Sequence, residues 1–264
     1  VSEPPGYVEF EFDLPGALLA KLIDVFDRLE PAPMTETALG LIPDAQGVYQ
    51  LFNTRSAHSE LVYIGKTDAA AGLRKRLTRH ARKLEHRVGL SRGDVFFKAV
   101  RVYVFTAVDL EAQLIDHYGG VARVSWNGSG FGSNDPGRER DTTRYKADHF
   151  DARYPIETGL PLDLDLPPTA TAAEILKRLK RALPYLLRFE LAGGSRSRAH
   201  DDLETTLIII DSTPPLTAEN IIAQVVHQLP LGWHATALPS HTIMYKDDPR
   251  KFPSGREIAR SRGI

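Results

Sequence analysis

Apolar residues recur at helical spacing from Pro15 to Leu29, in PGALLAKLIDVFDRL, and predict an amphipathic helix. The Pro-containing stretch EPAPMTETALGLIPDAQ then reads as a loop leading to the first strand. Two short runs rich in β-branched and aromatic residues, GVYQLF and LVYIG, predict an antiparallel hairpin whose arms are joined by NTRSAHSE. In LRKRLTRHARKL, leucines at 73, 77 and 84 with basic residues on the remaining faces predict a helix with a cationic exposed side. VFFKAVRVYVFTA predicts a third strand, and DLEAQLIDHYG a helix with Asp109 near its start and Gly119 after its end.

Beyond these, VSWNGSGFGSNDPGRERDTTRY is a Gly/Asn/Pro-rich polar loop, and YPIETGLPLDLDLPPTATA reads as a linker. TAAEILKRLKRALPYLLRFEL is expected to be helical with a break near Pro184, LETTLIIID a strand, TAENIIAQVVHQL a capped helix, and WHATALPSHTIMYKD one or two strands. The pattern predicts an α+β protein. Residues 1–40 form an N-terminal helical extension and 41–155 a small antiparallel three-stranded sheet flanked by helices. Residues 156–170 form the linker and 171–264 a small α/β accessory domain.

Composition narrows the chemistry. At 264 residues and 42% hydrophobic content the chain can bury an ordinary core as one large or two small domains. The absence of cysteine excludes disulfides, thiolate zinc sites and cysteine nucleophiles, leaving oxygen and imidazole ligands for any metal. No apolar run approaches a membrane span, and the start VSEPPGYVEFEFDLPG lacks a secretory pattern, so a cytoplasmic protein with no membrane partner is expected. The net charge of −1 hides a strong polarity. Lys and Arg number 3 against 10 Asp and Glu in residues 1–60, 17 against 11 in 61–154, and 13 against 13 in 155–264. Positive charge therefore gathers just after the second Tyr run.

Gly47-Val48-Tyr49, Tyr63-Ile64-Gly65, Arg76 and His80 in KRLTRH, Glu111 in LEAQLIDHY, then Asn127 in WN, GFG and DPG follow one another in an order that resembles the GIY-YIG nuclease family. The likeness is closest to its type II restriction endonuclease branch and covers roughly residues 40–155. Thirteen residues separate Tyr49 from Tyr63, more than in compact members of the family. The resemblance implies hydrolysis of double-stranded DNA by a Mg²⁺-dependent endonuclease, with Mn²⁺ able to substitute, working as a homodimer on two-fold symmetric sites.

Phosphodiester cleavage needs an activated water, charge stabilisation on the phosphoryl oxygens and help for the departing oxygen. Under the resemblance Glu111 is the metal ligand, although alone it would read as a solvated glutamate favoured by the helix dipole. Arg76 forks the scissile phosphate, and His80, one turn later, assists a tyrosine in proton transfer. Tyr49 is taken as the base and Tyr63 as its hydrogen-bond partner, against the plainer reading of two half-buried strand tyrosines. Lys66 touches phosphate or merely ends a strand. Asn127 braces the site, or with Trp126 simply forms a turn.

Arg74, Lys75, Arg79, Arg82, Lys83 and Arg87 are expected to neutralise phosphates, and Arg138, Arg140 and Arg144 to reach the grooves. The C-terminal unit, with GSRSRAH and KDDPRKF, extends DNA recognition or serves stability and dimerisation. Two other classes compete: a structure-selective repair or recombination nuclease of the same family, and a non-catalytic DNA-binding module on the same scaffold.

Overall fold

Asp13 accepts the Gly16 amide at 2.9 Å and so starts the first helix, α1 (Leu14–Arg28), with Pro15 in a first turn that needs no amide partner. The computed structural model describes residues 5–9, 11, 13–56, 58–68, 70–103, 110–132, 137–213 and 215–262. The chain divides into two units, Val1–Arg79 with Gly93–Asn127, and His80–Arg92 with Gly128–Ile264.

In the first unit, α1 is followed by β1 (Ala32–Pro33), α2 (Glu36–Gly40), β2 (Gly47–Asn53), β3 (Glu60–Thr67), α3 (Leu73–Leu84, whose last residues open the second unit), β4 (Val95–Arg101) and α4 (Leu110–His117). The strands form an antiparallel sheet in the order β1-β4-β2-β3. The expected three-stranded sheet thus gains β1, where Pro33 is tolerated because the strand lies at an edge. The segment read as a loop also holds α2, whose first turn is capped by the Thr35 hydroxyl accepting the Ala38 amide at 3.2 Å. Residues 104–107 of the expected third strand, and Asp109, lie outside the described residues.

Strand alternation sorts this sheet into two faces. On one, Val48 and Ile64 pack with Leu22 and Phe26 of α1 and Leu110 and Leu114 of α4. On the other stand Tyr49, Leu51, Tyr63 and Phe97, in register across β2, β3 and β4. Lys98 fastens α1 to the first face by donating to the Phe26 carbonyl at 2.7 Å, over the Phe52 ring.

The second unit contains α5 (Phe150–Arg153), β5 (Thr169–Thr171), α6 (Ala172–Ala182), β6 (Leu186–Phe189), α7 (Asp201–Thr205), β7 (Leu207–Ile209), α8 (Ala218–His227), β8 (Trp233–Ala237), β9 (His241–Lys246) and β10 (Arg256–Arg260). The sheet order is β10-β8-β9-β6, antiparallel except for the parallel β6–β9 pair, and β5 pairs with β7 separately. The helical stretch expected beyond Pro184 is instead β6, whose Leu187 and Phe189 enter the core. The strand expected from Leu203 begins as α7 and becomes β7 only at Leu207. Thr217 and Asn220 form a reciprocal capping box on α8. The expected linker is packed: Ile156 and Thr158 are buried, and the Leu162 amide donates to Leu216 at 2.7 Å.

One face of this sheet is an apolar core of Leu187, Trp233, Ala235 and Met244 under α6 and α8. The other face is mixed, with Leu238, Ile243 and Tyr245 packed under Phe252 beside a buried polar network. There Asp141, fully buried, accepts from Arg188 (2.6 Å), His241 Nε2 (2.9 Å) and Tyr245 (2.7 Å). His241 Nδ1 meets Ser240 at 2.7 Å, and Ser240 meets Tyr145 at 2.8 Å. An ionised Asp141 can only accept, so His241 Nε2 carries a proton and donates it to the carboxylate. This chain ties residues 137–145 to the second unit, which takes in the chain from Gly128 onward. No helix among the described residues is long and apolar enough to cross a membrane.

Candidate active site

Tyr49 and Tyr63 rise from the same sheet face because β2–β3 register sets Tyr49 opposite Gly65 and Tyr63 opposite Leu51. Their rings lie 6.1 Å apart and tilted by 36°. Gly65 is required here: a side chain at 65 would overlap the Tyr49 phenol. A side chain at Gly47 would likewise collide with the Val100 carbonyl and with Leu73 at the start of α3. The two glycines of the two motifs therefore let one phenol lie flat across the ladder and let α3 close on it.

Leu73 and Leu77 seat α3, and that placement turns Arg76 inward, where its Nε donates to the Tyr49 oxygen at 3.4 Å. At the helix start, Asp44 Oδ1 accepts the Lys75 amide at 3.4 Å, and its carboxylate pairs with Lys75 (3.3 Å) and Arg74 (3.7 Å). Asp44 thereby positions the Arg76 helix from about thirty residues upstream, a role that the local sequence does not signal.

Burial pushes the Tyr49 phenol far above its ordinary range, helped by the neighbouring Tyr63, while Arg76 opposes it. Tyr63 is also raised: burial leads, Arg76 pulls it down, and the charge of Glu111 pushes it up. Burial lowers the Arg76 value, but the adjoining phenols more than offset it, so the guanidinium is firmly cationic. Glu111, half-buried in the first turn of α4, is thus near enough for its charge to act on Tyr63.

Asn127 pairs with the outer edge of β3 as a strand would. Its Oδ1 accepts the Ile64 amide at 2.9 Å and its Nδ2 donates to the Ile64 carbonyl at 2.8 Å, while the Trp126 amide donates to Val62 at 2.8 Å. Tyr49, Tyr63, Arg76, Glu111 and Asn127 all belong to the first unit. Lys66 is exposed and sits opposite Val48, so it leaves the sheet from the face opposite the two phenols. His80 belongs to the second unit, buried and stacked on Phe131 with 4.7 Å between rings.

Among the described residues no group of three or more His, Cys, Asp or Glu gathers where it could hold a metal. Glu111 offers one carboxylate, a donor set suited to an oxygen-seeking cation that keeps most of its waters, as Mg²⁺ does.

The cations expected on DNA separate into two sets. Arg74, Lys75, Arg79, Arg140 and Arg144 are exposed, and the solvent-facing pairs with Asp44 are weak enough to yield to phosphate. The others serve the protein. Arg82 donates to the Leu183 carbonyl at 2.8 Å beyond the end of α6, and Lys83 to Phe131 (2.7 Å) and Gly130 (3.0 Å). Arg87, its side chain 3% exposed, is locked to Asp151 at 2.7 Å. Arg138 forks Glu190 at 3.0 and 2.9 Å and lies 4.1 Å over the Tyr245 ring.

Comparison with known proteins gives no further anchor: no family model matches the chain, and no curated protein matches it.

Proposed function

We propose that the first unit carries the active site of a Mg²⁺-dependent DNA endonuclease of the GIY-YIG type, acting as a restriction enzyme on double-stranded DNA. The observation that carries this reading is the meeting of two phenols and a guanidinium on one sheet face, within reach of the Glu111 charge. Arg76 forks two oxygens of the scissile phosphate, which its permanent charge and planar donors suit. Tyr49, the more deeply buried phenol, keeps its proton and hydrogen-bonds to Tyr63. Tyr63 is the phenol that orients the attacking water; it would receive the water's proton only as the phenolate, the form that the neighbouring Arg76 charge favours, which reverses the roles expected from the sequence. Glu111 would hold Mg²⁺ or Mn²⁺; when bound, the ion supplies charge stabilisation for the phosphoryl and departing oxygens. Asn127 acts through β3, by fixing the strand that carries Tyr63. Exposed Arg74, Lys75 and Arg79 on α3 supply sequence-independent affinity for the backbone. Paired cuts in a palindromic site call for a homodimer.

The test is incubation of the protein with plasmid, branched and single-stranded DNA, with Mg²⁺ or with EDTA. Discrete plasmid fragments that require Mg²⁺ and vanish in Glu111→Ala, with DNA binding retained, are expected. Normal cutting by Glu111→Ala would remove the metal assignment. Cutting confined to branched DNA would point to a repair enzyme, and binding with no cutting to a DNA-binding module.

A further inference from the structure

The sheet face of the second unit that carries Asp141 and the Phe252 cluster holds a cleft of about 260 Å³ between β8 and the segment that leads into β10. Its size falls just below the usual range of clefts that take drug-sized ligands. His234 and Thr236, neighbours on one face of β8, line it. They are only 6% and 5% exposed, yet neither is among the buried polar groups left without a partner, so what remains exposed of each side chain includes its polar atoms. An imidazole and a hydroxyl side by side at the cleft can donate to and accept from the polar edge of a bound ligand.

The rest of the lining narrows that partner. The Phe252 ring stands 6.0 Å from the His234 ring, tilted by 35°, and offers an aromatic wall. Gly255 keeps the segment close, since a side chain there would come within 2.5 Å of the Thr236 methyl. Both acids in the lining are already neutralised. Asp248 accepts from Arg250 at 2.9 and 3.0 Å and from Arg138 at 3.4 Å, and Glu257 pairs with Arg260 at 2.8 Å. Lys251, exposed at the rim, makes no ion pair among the described residues and leaves the cleft with one surplus positive charge.

We infer that this cleft binds one nucleotide: the base against Phe252, its polar edge on His234 and Thr236, and the phosphate on Lys251. Aromatic walls with an adjacent cation are the usual means of holding a base that has left its stack. The nucleotide can be a free mononucleotide or one extruded from duplex DNA, and only the second source rests on the nuclease reading.

Calorimetric titration of the full chain with deoxynucleoside monophosphates, against inorganic phosphate as control, tests the site directly. A duplex carrying 2-aminopurine, whose fluorescence rises on unstacking, tests extrusion. The site requires that at least one monophosphate bind tenfold or more tighter than phosphate, or that 2-aminopurine brighten on binding. In either arm the signal falls at least fivefold in Lys251→Ala and in Thr236→Val, substitutions that leave the core packing intact. A monophosphate response alone assigns a free ligand, and a 2-aminopurine response assigns DNA. The inference is overturned if neither probe responds, or if both variants respond as the wild type does. Plasmid cleavage measured on the same samples keeps the two readings apart, because nucleotide binding does not need Glu111.

Discussion

Tyr49 lies directly across the β2–β3 ladder from Gly65, and its phenol fills the space that a side chain at 65 would need. One methyl group at that position must therefore displace the ring that Arg76 contacts. Gly65→Ala is expected to cost about 1–3 kcal/mol in chemical denaturation, as overpacked sites do, and to abolish cleavage. The double variant Gly65→Ala with Tyr49→Ala should be less destabilised than the two single costs added, because each change removes the other's obstacle. Simple additivity would show that the ring does not occupy that space.

Asn127 tests a different link, from a loop side chain to the strand bearing Tyr63. Both of its hydrogen bonds go to the backbone of Ile64, which is fully buried. Asn127→Ala leaves a buried donor and acceptor unpaired and should cost roughly 2–4 kcal/mol. Hydrogen exchange at the Ile64 amide should accelerate, whereas Asn127→Asp, which keeps the acceptor, should protect that amide better than Asn127→Ala. Unchanged exchange in Asn127→Ala would mean that β3 holds its edge without this clamp.

Arg76 and Arg87 look alike in the sequence, two arginines in one basic run, yet their surroundings predict opposite phenotypes. Arg87→Ala strands the buried Asp151 carboxylate and should cost about 3–5 kcal/mol of stability. Arg76→Ala should instead lower turnover about a hundredfold or more, the usual scale for losing a transition-state donor, with a smaller change in unfolding. Turnover and urea midpoints for both variants check this, and the reverse pattern would place the phosphate contact at Arg87.

That contrast marks where the sequence was informative. The hairpin, the leucine-seated helix and the helix around Glu111 were legible because their apolar spacing is local and each buries one face. The fate of individual cations was not legible. Lys83 and Arg138 find partners 47 and 52 residues away, so their burial depends on tertiary packing that no window contains. The strand after Pro184 reads as helix in the sequence because Leu186–Phe189 is too short to show its period. Only its pairing with β9 makes it a strand. The glycines of the two motifs were recognised by their letters, but their reasons, a phenol crossing the ladder and a helix closing on it, appear only in the fold.

Asp141 gives the second unit an acid limit. Burial alone would raise its carboxyl value, but hydrogen bonds from His241, Tyr245 and Arg188 outweigh that and lower it from 3.8 to about 2. The unfolded chain therefore binds this proton more readily than the folded one, and stability must fall as pH falls. The contribution, roughly 2 kcal/mol, is complete above about pH 4 and is lost between about pH 4 and pH 2. Asp141→Asn removes the titrating group and leaves Arg188 without its buried counter-charge, so it should be less stable at neutral pH yet show a flatter acid profile. Urea unfolding followed at several pH values between 2 and 7 reads both effects. An Asp141→Asn profile as steep as the wild type's would move the acid sensitivity to other carboxylates, such as Asp248 with its own arginine partners.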